Sequence, residues 1–199
     1  GPFDNPFLRL GPSATSFTSP VKRLSHDWLT AYRLRISAKS RRQDARKEGQ
    51  VPACHAVAVT SDGYSLRFGL DGFVEPSTRA GRRFARPSAG VEVIGVAKID
   101  GTETIIAATA QARAMLCKVE EINFLSGPGK GVILIKLKPD EDRVLGFIAS
   151  TGDRDLLTVE TSRGAEQTIS TTKYEVTGRG GKGRELLQRG QFTRIVPAD

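Results

Sequence analysis

With 199 residues, 38% of them hydrophobic, the chain can bury one substantial core or two small ones, and its composition excludes a disordered protein. Lysines and arginines number 30 against 22 acids, a formal net charge of +8; this favours a polyanionic partner, nucleic acid or an anionic membrane surface, against the plainer reading of a soluble protein that is simply basic. Two widely separated cysteines, Cys54 and Cys117, with no CxxC pair, exclude a disulfide framework, and no apolar run approaches the roughly 18 residues a membrane span needs.

The opening Gly1-Pro2, without a methionine, reads as a protease scar on a piece of a larger protein, and no signal peptide is visible. Residues 1–26 are dense in Pro, Gly, Ser and Thr and read as a linker or extended arm, with Phe3, Phe7, Leu8 and Leu10 as docking points. "WLTAYRLRISA" alternates enough for a strand, and "KSRRQDARKEGQ" is a short helix or an exposed loop. "CHAVAVTSDGYSLRF" predicts a hairpin turning at Ser61-Asp62-Gly63. "VEVIGVAKIDGTETIIAAT" gives two more runs around Asp100-Gly101, and "QARAMLCKVEEINF" alternates imperfectly. "GVILIKLKPDEDRVLGFIAS" is strand, charged turn, strand; "DLLTVETSRGAEQTIS" turns at Arg163-Gly164; "QFTRIV" is a last short strand. No segment after residue 50 holds a 3.6-residue period for three turns, so the reading is all-β.

A weak repeat underlies these runs. Gly90, Gly131 and Gly183 mark the same place in three units, at intervals of 41 and 52 residues. A unit of about four strands on that scale suits a propeller blade; a sandwich or barrel with coincidental glycines is the alternative.

Few enzyme readings survive. Cys54 and His55 would point to opposite faces of a strand, which argues against chelation, and no GxSxG turn accompanies His26 or His55. Asp153 and Asp155 lack a third acid nearby, so a magnesium site is weak. No catalytic, metal or cofactor site is expected. "GRGGKG" lacks the spacing and the Ser or Thr of a nucleotide phosphate loop. It still puts Arg179, Lys182 and Arg184 among Gly180, Gly181 and Gly183, where a polyanion can approach the backbone N–H groups. The competing reading is a sheet-corner turn with solvated arginines. Arg79, Arg82, Arg83 and Arg86 lie in the corresponding connection, and Lys130 in "GPGKG" holds the matching place in the middle unit; Arg163, and Lys173 beside Tyr174, extend the set. If blades follow one another around an arc, these charges form a band able to hold DNA bent. The basic residues between 33 and 47 extend that surface or form a solvated tail.

"YEVTGRGGKGRELL", with the blade pattern from "GVILIKLKPDEDRVLGFIAS" onward, resembles the glycine-arginine box and blades of the C-terminal domain of the DNA gyrase A subunit and its topoisomerase IV counterpart, over roughly Ala56 to Val196. The resemblance implies a β-pinwheel, a propeller-like ring whose blades exchange strands, over residues 27–199. It implies a non-catalytic domain of an ATP-dependent type IIA topoisomerase that binds duplex DNA on its basic rim and guides it to the cleavage core. Implied partners are that N-terminal core and the ATPase subunit, with no membrane; the implied setting is the bacterial cytoplasm and nucleoid, or an organelle of bacterial ancestry. None of Tyr32, Tyr64 and Tyr174 matches the family's catalytic tyrosine context. The box carries over as Arg179, Gly180, Gly181, Lys182 and Gly183, with Thr177 and Gly178 where the family has glutamine and basic residues. The length does not hold the six blades of gyrase, so an open arc of three to four blades is expected, with the N-terminal strand closing the last unit beside "QFTRIV". The alternatives are a propeller-type protein-interaction module with a basic rim, and an RNA-binding domain stacking bases on Phe84 or Tyr174.

Overall fold

The computed structural model describes residues 51–73 and 82–197, together with the backbone of three short strands near the N-terminus. The strands are β1 (Arg9–Leu10), β2 (Ser16–Thr18), β3 (Arg23–Leu24), β4 (His55–Thr60), β5 (Tyr64–Gly69), β6 (Arg82–Arg83), β7 (Val93–Ile99) and β8 (Thr104–Thr109). They continue with β9 (Arg113–Lys118), β10 (Phe124–Leu125), β11 (Val132–Ile133), β12 (Val144–Ser150), β13 (Leu157–Thr161), β14 (Glu166–Ile169), β15 (Arg184–Glu185) and β16 (Phe192–Val196). Two 3-10 turns, Asp71–Phe73 and Val119–Glu121, are the helical pieces among the described residues. The predicted strand over 28–38 and the charged segment after it lie outside those residues.

Three hairpins form the frame: β4–β5, β8–β9 and β13–β14, all antiparallel. Each turns the same way. A buried threonine, Thr60, Thr109 or Thr161, accepts a hydrogen bond from the N–H three residues on, at Gly63, Ala112 or Gly164. That third residue has positive φ in every case: +88° at Gly63, +61° at Ala112 and +85° at Gly164. Glycine makes this conformation cheap, so the first and third turns were legible; Ala112 carries no such signal, and the second hairpin was missed.

The runs flanking Asp100-Gly101 are strands, β7 and β8, but they do not pair with each other. β7 pairs with β4 in the first sheet and β8 with β9 in the second. The link between them is capped: the Glu103 carboxylate accepts from the N–H groups of Asp100 and Gly101 at 2.9 Å each. The pattern repeats, with β12 on β8 and β16 on β13. Each hairpin is thus joined by the last strand of its own unit. The connections after the second and third hairpins reach back to the preceding sheet, exchanging strands between units: β10 and β11 flank β5, while Thr177 and β15 flank β9, covering edges that would otherwise be open.

The sheets pack face to face. Ala56 and Ala58 of β4 face one core cluster with Phe68, Phe84 and Val96. Val57 and Val59, on the opposite face, meet Ile105, Ala107, Met115, Leu134, Ile135 and Phe147. Ile106 and Ala108 of β8 turn the other way, toward Leu157, Val159, Ile169 and Phe192. β4 and the middle of β8 are thus buried on both faces, which is why they read as continuous apolar runs. The fold is all-β, propeller-like and open.

One expectation is corrected. Gly131 and Gly183 are equivalent, each preceding a short strand on the second strand of a hairpin, but Gly90 sits in the turn closed by Val91 N–H to Ser88 carbonyl at 3.1 Å. The counterpart of β11 and β15 is β6, so the repeat mark falls on Gly81, outside the described residues. The N-terminal strand expected beside β16, read over 28–38, lies outside the described residues. β2 adds to β7 in the first sheet, with Ser16 opposite Ala97 and Phe17 opposite Val96. There the outer edge of β7 supplies the backbone groups that β2 needs.

Candidate nucleic-acid interface

The basic corners follow from this exchange. The segment after β6 lies beside the second connection: Ala85 bridges Gly129, and Arg86 N–H donates to the Gly129 carbonyl at 2.8 Å. The second connection in turn lies beside the third. Gly180 N–H donates to the Leu134 carbonyl at 2.9 Å, and Lys136 N–H to the Gly181 carbonyl at 2.8 Å. Residues 82–86, 129–136 and 177–184 therefore form a row of hydrogen-bonded neighbours. "SGPGKG" and "GRGGKG" hold equivalent places in it, so Lys130 and Lys182 correspond.

Arg82, Arg83, Arg86, Lys130, Lys182 and Arg184 are all exposed on this row. Lys130 Nζ lies 4.2 Å from the centroid of the Tyr64 ring, and Arg184 Cζ 5.6 Å from that of Tyr174. Both cations are steered by aromatic faces while their charge stays in solvent. Gly181 opens to free space, whereas Gly183 at φ +75° is pressed on the Ala114 carbonyl. Lys173 is exposed and donates to Thr168 Oγ1 of β14 at 2.7 Å. Arg163 stands exposed at the third hairpin turn. Arg79 and the basic residues between 33 and 47 lie outside the described residues.

Three basic residues escaped the sequence reading. Arg113, Lys136 and Lys138 join Lys182 around a cleft of about 690 Å³, with Gln111, Glu141, Asp142 and Glu185 also lining it. With Lys182 they come from three separate segments, so no local cluster announced them; the only signal was Lys136 and Lys138 sharing one face of "IKLK".

Other candidate chemistry is absorbed by structure. His55 is fully buried, with Nε2 3.1 Å from Arg67 Nη1, and Arg67 Nε donates to the Ile122 carbonyl at 2.6 Å. Burial pulls the Arg67 guanidinium below its ordinary value, opposed by Glu120. Burial likewise pushes the Cys117 thiol up to about 12, helped by Glu121 and opposed by Arg179. Asp153 accepts from Thr171 Oγ1 at 2.8 Å and Asp155 from Thr151 N–H at 2.7 Å, so both carboxylates tie turns. No group of three or more His, Cys, Asp or Glu able to hold a metal occurs among the described residues. Nor is any helix among them long and apolar enough to cross a membrane. Phe84 is buried and stacked on Phe68 at 4.7 Å, which removes it as a platform for a base.

Residues 55–100 and 103–151 each match the family model described as DNA gyrase C-terminal domain, beta-propeller. The boundaries of the two matches coincide with the β4-to-β7 and β8-to-β12 units. Among curated proteins none matches in sequence. Solved structures with the same fold include the C-terminal domain of DNA topoisomerase IV, at 18% identity and TM-score 0.64, covering 77% of this chain and 49% of that one. The DNA gyrase A C-terminal domain aligns at 16% identity and TM-score 0.59, covering 77% and 52%. The E. coli ParC C-terminal domain aligns at 16% identity and TM-score 0.56, covering 74% and 64%. The chain thus spans about half the length of the first two.

Proposed function

We propose that this chain, whose residues 55–100 and 103–151 belong to the DNA gyrase C-terminal domain family, binds duplex DNA along its row of basic corners and holds it bent. On this reading it cuts nothing and uses no cofactor. It serves a type IIA topoisomerase A-type subunit by guiding DNA toward the cleavage core, in concert with the ATPase subunit, in the bacterial cytoplasm or an organelle of bacterial ancestry. The arm and the β domain divide near residue 26.

The observation that carries the proposal is the hydrogen-bonded order of residues 82–86, 129–136 and 177–184, each bearing exposed cations. Charges at successive corners neutralise successive phosphates without reading sequence. Such contacts offset the elastic cost of a moderate bend, about 1–6 kcal/mol.

The test is duplex affinity across a salt series. Each phosphate contact adds about 0.9 to the slope of log affinity against log salt, so six contacts from Arg82, Arg83, Arg86, Lys130, Lys182 and Arg184 give a slope near −5. The double variant K182A/R184A is expected to flatten it by roughly 2. Affinity that stays level from low to high salt would overturn the proposal.

A further inference from the structure

Arg179 carries the box's first positive charge, yet its side chain is committed inward. Nε donates to the Glu121 carbonyl at 3.0 Å and Nη1 to the Ile133 carbonyl at 2.7 Å. Its backbone N–H reaches Glu121 Oε1 at 3.3 Å. Glu121 closes the 3-10 turn after β9 and Ile133 lies in β11, so one side chain joins three segments. The two backbone bonds that hold the third connection to the second, Gly180 N–H to Leu134 carbonyl and Lys136 N–H to Gly181 carbonyl, lie directly alongside.

A guanidinium suits this task because its donors form a rigid planar fork that spans two carbonyls; an ammonium is a point charge that does not. The remaining box residues behave differently. Lys182 and Arg184 are exposed, and Lys182 faces the cleft shared with Arg113, Lys136 and Lys138. The glycines around Arg179 leave the loop few side-chain contacts of its own, so its position depends on external ties.

On the reading that the row binds duplex DNA, we propose that Arg179 is a positioning residue: it clasps the third connection to the second and fixes Lys182 and Arg184 in the row, and does not itself neutralise a phosphate. The charge-keeping variant R179K therefore behaves like R179A.

The experiment compares the unmodified chain with R179K, R179A and K182A. Both Arg179 variants are expected to lose about tenfold in duplex affinity at fixed salt, roughly the net worth of one hydrogen bond, with the salt slope unchanged within about 0.3. K182A is expected to lower the slope by about 0.9. Without DNA, amide hydrogen exchange at Gly180 and Lys136 is expected to speed up in both Arg179 variants. Normal binding by R179K, a slope that drops by a full contact in R179A, or unchanged exchange at both amides would each overturn the clasp. If the unmodified chain binds no DNA, the functional reading fails alone, and exchange still decides the role of Arg179.

Discussion

Gly131 and Gly183, at φ +84° and +75°, lie hard against the strands they cross. A methyl group at Gly131 would run into the Ser65 carbonyl oxygen, and one at Gly183 would come within 2.6 Å of the Ala114 carbonyl oxygen. Backbone cannot move aside as a side chain can. Gly90 has a similar φ of +76°, but nothing lies within 4 Å of the same position. Left-handed backbone costs an alanine about 1–2 kcal/mol, so G90A is expected to lose that much stability and G131A more than about 3 kcal/mol. Denaturant unfolding measures both; equal losses would mean that the close approach carries no energy. The three glycines look alike as letters, because a glycine needed for φ and one needed for space leave the same trace.

β7, β12 and β16 share a device that alternation does not reveal. Each carries one extra residue near its start. Val93 pairs with Thr60 and Gly95 with Val59, leaving Ile94 unpaired, and Leu145 and Thr193 hold the equivalent places in β12 and β16. A bulge bends its strand and sharpens the twist, here where the chain arrives from the preceding connection. Arg143, just before the second bulge, accepts from Ala110 N–H at 2.9 Å, and Val144 N–H donates to the Ser61 carbonyl at 3.0 Å, stitching the turns of adjacent sheets. Deleting Leu145 removes the bend, and these two bonds cannot both persist. The expected loss is about 1–3 kcal/mol, read by thermal unfolding of the deletion variant. A deletion without effect would make the bulge incidental. The apolar content of these strands was legible from sequence, whereas their sheet membership was not. Chain neighbours joined by a turn ordinarily pair, and only the stacking of sheets decides that β7 and β8 part.

The arc is asymmetric as a whole molecule. β4 is buried throughout and β8 nearly so, but β13 buries only Leu157, Val159 and Thr161. Its other face carries Thr158 and Glu160, opposite Thr168 and Arg194, with Arg194 Nη2 3.0 Å from Glu160 Oε2. Stacked repeats need such a polar outer face to stay soluble. The double variant T158V/E160V is expected to self-associate at micromolar concentration, which sedimentation would detect; a monomer would show that this face needs no polar guard. From its sequence alone this protein is all-β, repetitive, basic and built of glycine-marked units, because alternation, turn chemistry and charge are local properties. What the tertiary structure alone decided is which strands pair, that the three connections touch, and that Arg179 faces inward while Arg113, Lys136 and Lys138 join the cleft. Those outcomes depend on hydrogen bonds between residues about fifty positions apart, whose partners are chosen by face-to-face packing of the sheets and not by any neighbouring letters.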